Sequence, residues 1–330
     1  MKIHRNISEI DKKQWQQLID NSPVASFFQT PECYELYASL SFLKPFVFAV
    51  SENEKLVGLV CGYLIADGGK IKQHFSRRAI IQGGFLLCEN ISENALQSLL
   101  KTCINELNDK AIYIETRNCS DFSKFRLGFE KSGFCYQSHF DIHLLINAET
   151  MQKISDSKLR QIKTAQKTGV QYTETEDIED IKAFYCILEK LYRKKIKLPL
   201  FSIEFFIELS KLPQGKILVI KHNNTVIGGI VCVLLSKKIL YEWFVCGDEN
   251  AEKQLYPSVM ATYAGIDYAQ KNGFAMFDFM GAGKPKKDYG VRDFKAKFGG
   301  ELVELGRFLY VCNPFLYRIG KFYIEKLKLL

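Results

Sequence analysis

ILVIKHNNTVIGGIVCVLL, residues 217–235, decides the fold, because the chain has already used this pattern once. ILVI leads through Asn223 into VIGGIVCVLL, two apolar β-branched runs joined by a turn former, which is a strand–turn–strand signal. FVFAVSENEKLVGLVCGYLI, residues 46–65, runs the same way through Asn53. Asn53 aligns with Asn223 and Gly58 with Gly228, at a common offset of 170 positions. Downstream, helix-like NALQSLLKTCINEL (94–107) precedes AIYIE (111–115), as SVMATYAGIDYAQKNG (258–273) precedes AMFDF (275–279), about 164 positions later. KSGF (131–134) with QSHFDIHLLI after it matches KFGG (297–300) with ELVELGRFLYV, at an offset of 166. An offset that drifts but persists over three pairs of elements predicts two tandem copies of one unit.

Each copy orders its elements as a helix, an antiparallel meander, a helix, a strand and a final strand. The expected class is α/β (α+β): two tandem units, each a mixed, mostly antiparallel sheet flanked by helices. The expected boundaries are 1–147 and 148–330, with the linking helix SDSKLRQIKTAQKTG opening the second copy and Gly169 ending that helix. A chain of 330 residues with 47% apolar content, 25 Phe and 16 Tyr has the material for two cores. Ten cysteines without a CxxC pair, several inside apolar runs such as LVCGYLI and IVCVLL, predict reduced thiols, with neither a disulfide framework nor a zinc site. MKIHRNISEI has no signal-length apolar core and no run reaches spanning length, which predicts a cytoplasmic protein.

The chemistry concentrates in FDFMGAGKPKKDYGVRDFKAKFGG, residues 277–300. A buried strand end, Phe277 to Met280, runs into Gly281 and Gly283, which admit positive φ and close backbone approach. Six cations follow: Lys284, Lys286, Lys287, Arg292, Lys295 and Lys297. A glycine-rich exit from a strand followed by cations suits a polyanion such as phosphate, as does a net charge of +8. In DFKAKF, Phe294, Ala296 and Phe298 alternate with Asp293, Lys295 and Lys297, so an extended segment would present the polar set on one side. Arg160, Lys163 and Lys167 share a face of the preceding basic helix, where acceptor phosphates or an RNA backbone would meet them. His139, Asp141 and His143 alternate along a strand. Metal ligation fits those residue types, but so does the outer face of any half-buried strand, and no metal is expected. The basic, amphipathic PFLYRIGKFYIEKLKLL at the C-terminus leaves two readings open: a helix packed on the second unit, or peripheral contact with a membrane surface.

The order of elements is that of the GNAT acyltransferase fold, and several segments resemble the FemA/FemB/FemX aminoacyltransferases of peptidoglycan-bridge synthesis and related GNAT-like proteins. They are FFQTPECYELY (27–37), RRAIIQGGFLL (77–87), KLRQIKTAQKTGV (158–170), YEWFVCGD (241–248), FDFMGAGKP and YGVRDFKAKFGG. The resemblance implies two GNAT-like units and acyl transfer from an aminoacyl-tRNA to the amine of a nucleotide- or lipid-linked envelope precursor. It places the family's aromatic–lysine pair on Phe294 and Lys295, for tRNA-end binding and charge stabilisation. Lys295 is then the expected catalytic residue. Phe294, Arg292, Lys297, Gly281, Gly283, Lys284, Tyr289, Arg160 and Lys163 form the expected substrate-binding set. Transfer from an ester to a positioned amine needs no enzyme nucleophile and no cofactor beyond the co-substrate, but it does need oxyanion stabilisation. The first copy lacks a counterpart of the glycine–lysine segment after AIYIETRN, so the second is expected to transfer and the first to bind acceptor or scaffold. Neither copy has the pyrophosphate loop of acetyl-CoA enzymes, and Pro257 removes an amide donor. Acyl-CoA is therefore the less favoured donor, and a non-catalytic RNA- or precursor-binding module is the alternative from another class. The expected location is the cytoplasm, at the inner face of the membrane if the acceptor is lipid-linked.

Overall fold

The computed structural model describes residues 1–69, 73, 75–236, 238–285 and 289–329, with side chains in the final helix through Phe322. Lys286 and Lys287 lie outside the described residues. The first strands along the chain are β1 (Lys2–His4), β2 (Lys44–Glu52), β3 (Lys55–Ile65), β4 (Arg78–Gly83), β5 (Leu86–Leu87), β6 (Tyr113–Asn118) and β7 (Cys135–Gln137). They are followed by β8 (Phe140–Leu145), β9 (Gln171–Glu174), β10 (Gly215–His222), β11 (Thr225–Leu235), β12 (Ile239–Gly247), β13 (Met276–Asp278), β14 (Glu301–Glu304) and β15 (Arg307–Val311).

The two hairpins form as equivalents. Asn53 (φ 47°) and Glu54 (φ 64°) turn one; Asn223 (φ 48°) and Asn224 (φ 61°) turn the other. Two consecutive positive-φ residues are the type I′ geometry that matches strand twist, and Asn tolerates it. The ladders agree residue for residue. Val50 pairs with Gly58 and Ile220 with Gly228, each followed by a register shift, at Val50/Ser51 and Ile220/Lys221.

The chain divides into two compact units, one of Met1–Ser138 with Glu304–Leu330, the other His139–Val303. Their sheets run in the orders β1-β2-β3-β4-β6-β15-β7, with β5 paired to β3, and β14-β8-β13-β12-β11-β10-β9. This division differs from the expected 1–147 and 148–330 because each copy places its last long strand in the other's sheet. β8 pairs with β13 (Asp278 with His143), and β15 pairs with β6 (Leu309 with Glu115). Packing secures both placements. Phe308 is fully buried and stacks on Phe129 at 4.2 Å in the first unit, while Ile142 and Leu144 are buried in the second unit's core.

The helix Asp156–Lys167 forms where the linking helix was expected, and Gly169 (φ 90°) follows it. The long helical run continues from Ile178–Leu191 into a π turn at Tyr192–Ile196, with Lys197 left-handed at φ 54°. The C-terminal helix Pro314–Leu329 is grouped with the first unit, where Tyr317 meets Tyr113 edge-on at 5.6 Å, and not with the second unit as one reading expected. All ten cysteines are free. No described helix is long and apolar enough to cross a membrane.

Candidate active site at the fork of the second sheet

β12 and β13 run parallel but pair only at Ile239–Met276, Leu240–Phe277 and Tyr241–Asp278. Beyond Asp278 the chain leaves β12 and pairs with the start of β8 instead. Phe279 N–H bonds Ile142 O (3.1 Å), Ala282 N–H bonds Phe140 O (2.7 Å) and Phe140 N–H bonds Gly283 O (2.8 Å). β12 continues to Gly247 paired with β11 on its other edge, so the sheet forks at Glu242. The matching strands of the first sheet stay zipped through Gly83–Asn118, and the position that corresponds to Glu242 by ladder register is the buried, apolar Ile81.

Buried ionisable groups converge at this fork. Glu242 is 2% exposed, Asp278 0%, Asp141 6% and Lys295 7%. Lys295 rises from the helix Gly290–Ala296, and its ammonium donates to Phe279 O and to Gly281 O (3.2 Å), with Glu242 Oε1 at 3.2 Å as an ion pair. Two of its three protons are thus given to carbonyls, and the third is left for the Glu242 carboxylate. Burial raises the Glu242 pKa; Lys295 opposes that shift without cancelling it. Asp141 accepts from the N–H groups of Ile142 (2.7 Å) and Gly281 (2.8 Å), and Asp278 from Met280 (2.7 Å). His143 Nε2 lies 3.4 Å from Asp278 Oδ2. Burial pushes the Asp141 carboxyl up to about 8, with Asp278 beside it adding to the shift. Burial works against the His143 proton, but Asp278 and Asp141 outweigh it and raise its pKa.

Both shifts have the same consequence for stability. A group whose pKa is raised by folding stabilises the fold below its unfolded value and loses that contribution as pH climbs through the folded value. For Asp141 the window runs from the unfolded value of about 3.9 up to about 8. His143 adds a loss in the same direction as pH rises above its ordinary range. Asp141→Asn is therefore expected to melt higher than the wild type at pH 9 and to show a flatter Tm profile from pH 4 to 9. Parallel Tm profiles for the two proteins would contradict the buried-carboxyl assignment.

The structure brings some of the expected site residues together and disperses others. The segment expected to be extended is instead the helix Gly290–Ala296, because Phe294 and Phe298, four residues apart, meet at 5.3 Å and turn Lys295 inward. Arg292 is committed to the loop: its guanidinium donates to Ala282 O (2.7 Å) and Lys284 O (2.5 Å) and lies over the Phe140 ring. Gly281 (φ 97°) and Gly283 (φ 81°) shape that loop, and a Cβ at Gly283 would strike the Tyr289 ring at 2.7 Å. Lys284, Lys297, Arg160 and Lys163 are exposed, and Tyr289 is 38% exposed. Phe294 has one face covered by the Lys158 ammonium, 4.1 Å from the ring centroid. Burial, then the nearby Lys297 charge, pulls the Lys158 pKa down to about 8. His139 lies before β8, apart from the Asp141, His143 and Asp278 group, whose ligand atoms all lie within 4.8 Å of one another. That group has the donor types of a divalent-cation site, but Asp141 Oδ1 is already spent on two backbone N–H groups.

Sequence reasoning did not select Glu242, Asp278 or Lys158 for the site. Glu242 had a signal: it is the one charged residue inside the apolar strand ILYEWFVC. In the first sheet the register partner of Asp278 is Glu115. There burial, which would raise the carboxyl, is overcome by Arg117 (2.9 Å) and Arg307 (3.3 Å), and its pKa falls to about 2. That carboxylate is held ionised by two arginines, whereas Asp141 and Glu242 at the fork of the second sheet have raised pKa values.

Residues 153–295 match the family model described as an Acetyltransferase (GNAT) domain. No curated protein matches the sequence. The crystal structure of FemX superposes with a TM-score of 0.71 at 14% identity, over 97% of this chain and 99% of that one. L-PGS from Bacillus licheniformis gives 0.58 at 10% identity, with 92% of each chain covered. A tandem GNAT protein from the clavulanic acid biosynthesis pathway gives 0.57 at 9%, over 95% of this chain and 99% of its own. Identities this low establish the fold alone: the chain shares its fold with FemX and with the tandem GNAT protein, and the match to the GNAT domain falls within its second unit.

Proposed function

We propose that this chain is an acyltransferase that moves an aminoacyl group from an aminoacyl-tRNA to an amine on a phosphate-bearing cell-wall or surface-polysaccharide precursor in the cytoplasm. The observation that carries the reading is the Lys295 ammonium, buried where β12 and β13 part, with two protons given to carbonyls and Glu242 beside it as its counter-ion. The acceptor amine attacks the ester carbonyl, and the oxyanion of the tetrahedral intermediate takes a hydrogen bond from the Lys295 ammonium in place of Glu242. Collapse forms the amide, breaks the ester C–O bond and releases the ribose hydroxyl, which receives a proton. His143, held by Asp278 and 18% exposed at its side chain, is the titratable group placed to accept the proton that the amine loses. Lys284, Lys297, Arg160 and Lys163 supply exposed cations for the phosphates of donor or acceptor.

The donor assignment is supported by the start of the helix Pro257–Lys271. Pro257 has no N–H, and the N–H groups of Val259 and Met260 both bond to Tyr256 O, which leaves few amides for a coenzyme A pyrophosphate. The FemX fold supports the same choice. The test is a transfer assay with a panel of aminoacyl-tRNAs and acyl-CoAs against precursors that contain lysine or diaminopimelate. Amide formation from an aminoacyl-tRNA is expected. Transfer from acyl-CoA alone would reassign the donor, and saturable tRNA binding without transfer would make the chain a binding module.

A further inference from the structure

The final helix leaves an apolar face outward. Phe315 is 72% exposed, Ile319 46% and Phe322 65%, and their spacing of four and then three residues sets them on one side. The inner side packs on the first unit through Tyr317 against Tyr113. Single exposed apolar residues need no explanation, but two phenylalanines and an isoleucine aligned on one helix form a patch. Arg318 and Lys321, both exposed, flank that patch, and the sequence continues with Lys326 and Lys328 against the single acid Glu325.

We infer that this helix is an interfacial anchor that lies on an anionic lipid surface, with Phe315, Ile319 and Phe322 in the acyl boundary and the cations at the headgroups. Charge complementarity selects the occupant. A second copy of this chain would bring the same cations face to face, whereas anionic headgroups pair with them. The helix belongs to the first unit, so the inference does not rest on the transfer chemistry at the fork of the second sheet.

The experiment is co-flotation of the full chain with vesicles of phosphatidylcholine alone and of phosphatidylcholine with one-third phosphatidylglycerol. Binding to the anionic vesicles is expected, weakening as salt rises. Phe315→Ser with Phe322→Ser is expected to lower the vesicle partition coefficient at least tenfold. Arg318→Glu with Lys321→Glu is expected to lower it about fivefold or more per cation and to erase the preference for anionic vesicles. Thermal melting of each variant establishes that it is folded. Because these side chains are exposed, wild-type melting is expected. A folded wild-type chain that ignores anionic vesicles overturns the inference. So does a lipid-independent dimer, seen by light scattering, that the serine variant dissociates. Equal binding to both vesicle types would leave the apolar contact standing and remove the anionic assignment.

Discussion

Lys295→Ala is expected to lower transfer turnover by about 10²–10³-fold, the effect of losing one oxyanion donor. It is also expected to destabilise the second unit by about 3–5 kcal/mol, because Glu242 is left as an unpaired buried carboxylate. The two effects can be separated. Lys295→Met with Glu242→Met replaces the ion pair by apolar side chains of similar volume, and such replacements are commonly neutral or stabilising. The double variant should melt near the wild type and still fail to transfer. Wild-type kcat in the double variant would show that the lysine is structural only. A single variant that raises KM and leaves kcat intact would show uniform binding instead of transition-state stabilisation. Lys284→Ala is the control: an exposed loop cation should alter salt-dependent affinity for a polyanion and leave kcat alone.

The sequence carried the hairpins well because their determinants are local. A turn former between two apolar runs sets both the turn and the register, and the 170-residue offset recurs in the ladders down to the same bulge. It carried the helix at 290–296 poorly. Phe294, Ala296 and Phe298 satisfy a period of two, while Phe294 and Phe298 also satisfy a helical i,i+4 pair, and so short a segment cannot distinguish the periods. Lys295 was identified through the resemblance, but its buried setting depends on Glu242 and on the carbonyls of Phe279 and Gly281, and only the fork brings those together. Asp141 was misplaced for a related reason. Alternation assigned it to a solvated face, but the backbone from Phe279 to Gly283 pairs alongside β8 and gives it the Gly281 N–H as a partner, and the side chain is buried.

The exchange of β8 and β15 was illegible because a strand's pattern says that it is a strand, not which sheet will hold it. The exchange dictates how the chain can be divided. Cutting between 147 and 148 would remove β15 from the first sheet and β8 from the second. The first piece would lose Phe308, which is fully buried and stacked on Phe129; truncating such a residue alone costs about 3–5 kcal/mol. The second would lose buried Asp141, Ile142 and Leu144 and expose the β13 edge beside Phe277 and Phe279. Losses of that size consume much of the about 5–15 kcal/mol that holds a domain folded. Residues 148–330 expressed alone are therefore expected to aggregate or to show no cooperative melt. Residues 139–303, which keep the second sheet in one continuous piece but for Glu304 at the end of β14, are expected to melt cooperatively with dispersed amide NMR signals. The outcome that would sink the exchanged-strand reading is the reverse one, in which 148–330 folds and 139–303 does not. That result would mean that β15 completes the second sheet in solution and that the units divide where the repeat itself divides.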